Sequence, residues 1–215
     1  MKRSKSEIVE WLLDPGIIAV VRAQRPEQVL PLSEALLAGG VRAIEITTTT
    51  PDAVDAIAQA QSKLGDRGVF GIGTVLDSAT CRAALEAGAE FVVSPIGLRE
   101  LVPLARAADK PVMLGAYTPS EAQAVHESGA DFVKIFPAET LGPAYIKALR
   151  APLPHLRIVP TGGVEPNNVA DFIKAGCVAL GAGGSLVSAT ILEKGDWPEL
   201  TRRAAAFVAA AQSAR

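Results

Sequence analysis

The chain has 215 residues, 49% of them apolar but only 5% aromatic, with a formal net charge of −2. That length is unusual for one ordinary domain and normal for an α/β barrel with a core of Ala, Val, Leu and Ile. The near balance of charge excludes a general pull toward nucleic acid or acidic membranes, so any bound anion has to be caught by a local site. Cys81 and Cys177 lie far apart with no CxxC spacing, which points to reduced thiols in a cytoplasmic protein. The opening MKRSK has the charge of a signal peptide, but Glu7, Glu10 and Asp14 interrupt the apolar run that must follow. No apolar segment approaches membrane-spanning length.

Residues 4–14 read as an amphipathic helix, capped by Ser4 or Ser6, with Ile8, Trp11 and Leu12 on one face; Asp14-Pro15-Gly16 ends it. Strands are then predicted at 17–22, 43–47, 69–73, 91–94, 112–116, 132–136, 157–160 and 178–181. Helices are predicted between and after them at 26–38, 51–63, 78–87, 99–108, 120–127, 143–150, 166–175 and 198–212. A concealed repeat supports this rhythm. Four times a helix runs through a small residue and glycine into an apolar strand: LLAGGVRAIEI, LEAGAEFVVS, HESGADFVKIF and IKAGCVALGA. The repeated Gly39, Gly88, Gly129 and Gly176 fit left-handed helix caps, and their spacing holds two βα units. The expected fold is one closed parallel (β/α)8 TIM barrel over residues 1–215, with an extra N-terminal helix. An open doubly wound sheet has less support, because no GxGxxG follows the first strand.

Alternate strand residues point to opposite faces. Phe132, Lys134 and Phe136 therefore share one face, and Val133 and Ile135 the other. With Val133 and Ile135 under helices, Lys134 is inside the barrel. An ammonium between two phenylalanines is poorly hydrated, and desolvation favours the neutral amine, a nucleophile for carbonyl carbons. The bland alternative is a lysine at a strand end that snorkels to water. The same alternation sends Ile44 and Ile46 outward, and Ala43, Glu45 and Thr47 inward. Glu45 and Lys134 then face each other across the barrel, as a structural ion pair or as a proton carrier and a nucleophile. Buried pairs contribute little to stability, which favours catalysis at the carboxyl-end face.

Two glycine turns follow late strands: Thr161-Gly162-Gly163 and Gly183-Gly184-Ser185. Exposed amides in such turns, backed by a helix N-terminus, cradle phosphate, and loops seven and eight are where barrels commonly hold it. Arg22, at the end of the first strand, adds a cation near the same mouth, or is a solvated arginine at a loop edge. His126 and His155 lack metal-ligand spacing, and no cluster has zinc or magnesium geometry. The hydroxyls at Ser94-Pro95 and in Gly71-Ile72-Gly73-Thr74 either line the mouth or simply terminate strands. Both cysteines read as packing residues.

With these residues in place, the pattern resembles a known family. EITTTTPDA (45–53), GIGTV (71–75), VSP (93–95), FVKIFPAE (132–139), GPAYIKAL (142–149), PTGGV (160–164) and GGSLV (183–187) together resemble the 2-keto-3-deoxy-6-phosphogluconate (KDPG) aldolase family. That family includes 4-hydroxy-2-oxoglutarate aldolases and 2-keto-3-deoxy-6-phosphogalactonate enzymes. The resemblance implies a class I, metal-free and cofactor-free aldolase that forms a homotrimer and acts on a 2-keto-4-hydroxy acid. Lys134 matches the Schiff-base lysine and Glu45 the general acid/base. Thr74 and Pro95 match the keto-acid pocket, Phe136 a residue packing over the lysine, and Gly162, Gly163, Gly184 and Ser185 the phosphate site, with Thr161 beside it.

There are departures from the family pattern. Many members carry an arginine four residues after the glutamate, gripping the substrate carboxylate, where this chain has Thr49; Arg22 is expected to supply the cation instead. Leu114-Gly115, followed by Tyr117, stands where the family often has Pro-Gly, and GPAYIKAL is reminiscent of the phosphogalactonate type. The expected reaction releases pyruvate and glyceraldehyde 3-phosphate, or glyoxylate from 4-hydroxy-2-oxoglutarate. The competing readings are a phosphate-binding barrel isomerase or epimerase, with Glu45 as base and Lys134 as an electrostatic clamp, and a catalytically silent sugar-phosphate binding protein.

Overall fold

The computed structural model describes residues 3–215; the first two residues of the MKRSK opening lie outside the described residues. Eight parallel strands run as β1 (Ile17–Val21), β2 (Ala43–Thr47), β3 (Val69–Gly73), β4 (Phe91–Val93), β5 (Val112–Ala116), β6 (Phe132–Ile135), β7 (Ile158–Pro160) and β8 (Leu180–Ala182). The helices are α1 (Lys5–Leu13), α2 (Val29–Ala38), α3 (Ala53–Leu64), α4 (Ser78–Glu86), α5 (Leu101–Ala107), α6 (Pro119–Glu127), α7 (Gly142–Arg150), α8 (Val169–Lys174), α9 (Ala189–Lys194) and α10 (Trp197–Ser213). Each strand pairs with its sequence neighbour, and β1 also pairs with β8. Between β7 and β8 the closure narrows to one parallel bridge, Thr161 to Gly181. A Cβ on Gly181 would overlap the Thr161 side chain, so glycine is what lets the last two strands meet.

The two faces of the strands part as their alternation dictates. Ile44, Ile46, Val133 and Ile135 belong to the layer between barrel and helices. Ala43, Val69, Phe91, Met113, Phe132 and Val159 fill the interior. Ile8 and Leu12 of α1 join that interior set, so α1 plugs one end of the barrel. Burying each of these two side chains stabilises by roughly 1.5–3 kcal/mol. Ser4 and Glu7 form a capping box at the start of α1. Lys5 Nζ lies 2.7 Å from Asp131, and Arg3 lies 3.1 Å from the buried Glu90. The Trp11 ring has the guanidinium groups of Arg3 and Arg42 at 4.2 and 3.9 Å. The plug thus leaves chemistry to the opposite, carboxyl-terminal end.

Several expected boundaries move, each for a local reason. Residues 26–28 form a 3-10 turn before α2. The helix expected at 166–175 starts only at Val169, because Asn168 Oδ1 accepts from the Glu165 amide and holds the preceding turn. Strand eight lies at Leu180–Ala182, starting two residues and ending one residue later than expected. The short α9 went unpredicted; Ser188 caps it, and Gly195 at φ 63° ends it. Gly88, Gly129 and Gly176 do adopt left-handed conformations, but at the first repeat Gly40, not Gly39, does so. Gly39 serves close packing instead, since a Cβ there would strike Ala204 of α10. Among the described residues no helix is long and apolar enough to cross a membrane. Cys81 and Cys177 are free and buried, and burial pushes their thiols up to about 11 and about 12.

Candidate active site

β2 and β6 each carry a charged group on the inward face, Glu45 and Lys134. Lys134 is 3% and Glu45 2% exposed, and Lys134 Nζ lies 3.6 Å from Glu45 Oε1. The Phe136 ring stands over the lysine, its centroid 5.5 Å from Nζ, and Phe132 packs below in the interior core. The expected facing of Glu45 and Lys134 across the barrel is thus what the structure shows, with the Phe136 face also addressing the ammonium. Glu45 Oε1 is buried and accepts no hydrogen bond among the described residues. At 3.6 Å the two groups stand just beyond direct hydrogen-bond reach, and a buried carboxylate oxygen left uncommitted suits proton exchange with a bound substrate better than rigid structural pairing.

Around this pair the mouth is built from loop residues. A cavity of about 350 Å³ is lined by Arg22, Phe136, Thr161 and the glycine turns at 162–163 and 183–184, with Ser185, Glu139 and Glu165 at its edge. Gly162 and Gly163 have φ of 96° and 67°, conformations that glycine adopts at no steric cost. Arg22 leans over the other turn: a Cβ on Gly183 would be 3.4 Å from its Nη1. The exposed Arg22 is thus brought to the same cavity as both glycine turns.

The expected helix N-terminus behind these turns is weak. α8 begins well after Gly163 and α9 has six residues, while the field of a helix end falls off within a turn. Side chains pin the turns instead. Asn168 Nδ2 donates to Gly163 O at 2.8 Å, and Ser185 Oγ donates to Val164 O at 2.6 Å. The Ser185 hydroxyl is thereby spent on structure, and its backbone amide is what it can offer an anion.

On the far side of Phe136 a second cavity, about 310 Å³, is lined by Pro95, Ile96, Gly97, Ala116 and Tyr117 among others. Tyr117 OH meets Thr140 Oγ1 at 3.0 Å, and Thr140 Oγ1 donates to Pro137 O at 2.9 Å. Because that carbonyl can only accept, Tyr117 is the donor to Thr140. This chain ties the loop after β5 to the exit of β6. Neither cavity is lined by Lys134 or Glu45 themselves; both reach Phe136, whose ring stands over the lysine. A larger cavity of about 550 Å³ among Arg3, Gln61, Lys63 and Asp66 lies by residues that precede β3, at the amino ends of the strands, so size alone does not mark the site.

Thr49 and Thr74 line neither cavity. Thr74 follows β3 with φ 58°, an uncommon conformation for a β-branched residue, and its carbonyl accepts from Thr48 Oγ1 at 2.9 Å. Thr47 Oγ1 donates to Val21 O at 3.0 Å and contacts Thr49 Oγ1 at 2.6 Å. Thr49 is therefore the donor of that contact, and its hydroxyl proton is committed to Thr47. Thr50 Oγ1 accepts from the Ala23 amide at 3.0 Å, which holds the turn that carries Arg22. Sequence reasoning passed over Thr50 and Glu139 as parts of the mouth. The run of four threonines that ends β2 and continues past it was the available signal.

Residues 8–203 match the family described as KDPG and KHG aldolase. The chain is 38% identical over 210 residues to the KHG/KDPG aldolase of Escherichia coli, covering 95% of this chain and 96% of that one. It superposes with a TM-score of 0.86 on a solved structure described as native KDPGal, at 34% identity, covering 92% of this chain and 95% of the other. A KDPG aldolase from Legionella pneumophila, with pyruvate captured as a covalent carbinolamine, gives a TM-score of 0.82 at 29% identity over 89% of this chain and 93% of that one.

Proposed function

The chain belongs to the KDPG and KHG aldolase family, and from that premise we propose which residues carry its chemistry. It is a carbon–carbon lyase of the Schiff-base class. It cleaves a 2-keto-3-deoxy-6-phospho sugar acid reversibly to pyruvate and glyceraldehyde 3-phosphate, and by the same route 4-hydroxy-2-oxoglutarate to pyruvate and glyoxylate. The observation that carries the assignment of residues is the buried pair of Lys134 and Glu45 at 3.6 Å. Lys134 gives a proton to Glu45 and attacks the C2 ketone. Glu45 returns the proton to the carbinolamine oxygen, which leaves as water. The resulting protonated imine is an electron sink. Glu45 then removes the C4 hydroxyl proton, the C3–C4 bond breaks, and its electrons form the enamine while the aldehyde departs. Protonation at C3 and hydrolysis of the imine release pyruvate and restore Lys134. The carbinolamine of the Legionella relative is the adduct this sequence of steps begins with.

Phe136 and Pro95 wall the keto-acid portion, with Thr74 and Thr49 at its rim. The amides of Gly162, Gly163, Gly184 and Ser185, beside Thr161, take the phosphate. Arg22 supplies the cation for the substrate's anionic groups. We assign residues 1–215 to one catalytic unit, placed in the cytoplasm, where free thiols stay reduced. A homotrimer completes the proposal. Leu76, Ile96 and Tyr117, at 56, 51 and 40% exposure, are large apolar side chains on the successive loops after β3, β4 and β5, surface that a second copy of the chain would cover.

The test is intact-protein mass after incubation with pyruvate and borohydride. One reduced pyruvate adduct is expected, absent in Lys134→Ala. No adduct on the native protein overturns the aldolase reading and brings forward the isomerase; an adduct that persists in Lys134→Ala moves the Schiff base to Lys147. Cleavage assays with both C4 epimers then assign the stereochemical preference.

A further inference from the structure

Gly73 ends β3 on its inward face, opposite Thr47 of β2. Its φ lies outside the left-handed range, so the backbone alone would accept any residue. Space is what excludes a side chain. The three heavy atoms nearest a Cβ at this position all belong to Glu45: Oε1 would be overlapped outright, and Cγ and Cδ would be 2.5 and 2.6 Å away. Glu45 lies flat against the bare backbone of β3.

Carboxylates are ordinarily oriented by donors. Glu121 is the local contrast, since it accepts from the Tyr117 and Thr118 amides and the Thr118 hydroxyl at 2.8–2.9 Å, bonds that lower its pKa. The Oε1 of Glu45 is buried and accepts no hydrogen bond among the described residues. The nearest opposite charge, Lys134 Nζ at 3.6 Å, moves during the reaction and cannot serve as a fixed anchor. We infer that Gly73 is a positioning residue: the side chain missing there is the slot that holds the Glu45 carboxylate at its distance from Lys134. This rests on the reading of Glu45 as the proton carrier.

The test compares wild type, Gly73→Ala, Glu45→Ala and the double variant. Gly73→Ala leaves Lys134 in place, so pyruvate and borohydride still give the full adduct after long incubation. Its kcat for KDPG cleavage falls roughly 100-fold, as expected for a group displaced by about 1 Å, while KM changes by less than about threefold. Added formate raises the kcat of Glu45→Ala by entering the slot, and fails to do so in the double variant, where a methyl group fills it. Gly73→Ala lowers Tm in the presence of Glu45 but has no effect on Tm in the Glu45→Ala background. A Gly73→Ala kcat within twofold of wild type overturns the inference, as does equal formate rescue of both Glu45→Ala proteins. If formate rescues neither, the Tm comparison decides, and an equal loss in both backgrounds overturns it. Undiminished kcat in Glu45→Ala overturns the role of Glu45 itself, separately from the slot.

Discussion

The Lys134–Glu45 pair makes a stability prediction that is independent of turnover. At 3.6 Å, two unit charges attract by roughly 4–5 kcal/mol at an effective dielectric constant near 20. Taking both out of water costs an amount of similar size, so the pair as a whole contributes little. Removing one member is another matter, because the survivor keeps its desolvation cost and loses its partner. Glu45→Gln and Lys134→Met are each expected to cost about 3–5 kcal/mol. The double variant, with no net charge left in the barrel, is expected to lose much less than the sum, giving a coupling energy above about 2 kcal/mol. The assay is urea unfolding at neutral pH, followed by the fluorescence of Trp11 and Trp197, the two tryptophans of the chain. They report the plug helix α1 and the start of α10. The midpoint should move while the slope stays constant. Single losses under about 1 kcal/mol that add in the double variant would refute the argument, since the charges would then be hydrated well enough to act independently.

Two further predictions follow from the surface of the site and of α10. Arg22→Ala should raise KM for pyruvate-forming substrates about tenfold or more, the loss of one charge-assisted hydrogen bond, with kcat less affected; an unchanged KM would leave Arg22 as a solvated residue at the rim. Hydrogen bonds from Arg202 and Arg203 hold the half-buried Glu199 carboxyl down to about 2, below its ordinary 4.5. Its folded-state pKa is depressed, so the stabilisation is present above 4.5 and is lost as pH falls toward about 2. The Tm difference between wild type and Glu199→Gln should shrink across that window, and a difference that stays constant through it would contradict the assignment.

Much of this site was legible from local chemistry alone. The period-two alternation of Phe132–Ile135 and Ala43–Thr47 put Lys134 and Glu45 inside before any distance was known, because outward-facing Ile and Val need the helical layer. Regular glycines after helices and apolar runs after glycines implied eight βα units, and ordered motifs implied the family. Boundaries slipped where side chains compete with the backbone, as Asn168 does before α8.

The remainder required the tertiary structure, because it depends on residues that meet only when the barrel closes. Alternation set Lys134 between two aromatic rings and facing Glu45 across the barrel, but nothing in the sequence reveals that the carboxylate comes to 3.6 Å. Nothing local to Gly73 reveals that it faces Glu45, nor anything in the four threonines which hydroxyl is spent on Val21. Arg22 reaches the glycine turns only because β1 pairs with β8. Side-chain direction is a property of the strand, set by its own pleat. Which groups then share the interior, and how closely, is set by the twist, register and closure of all eight strands together.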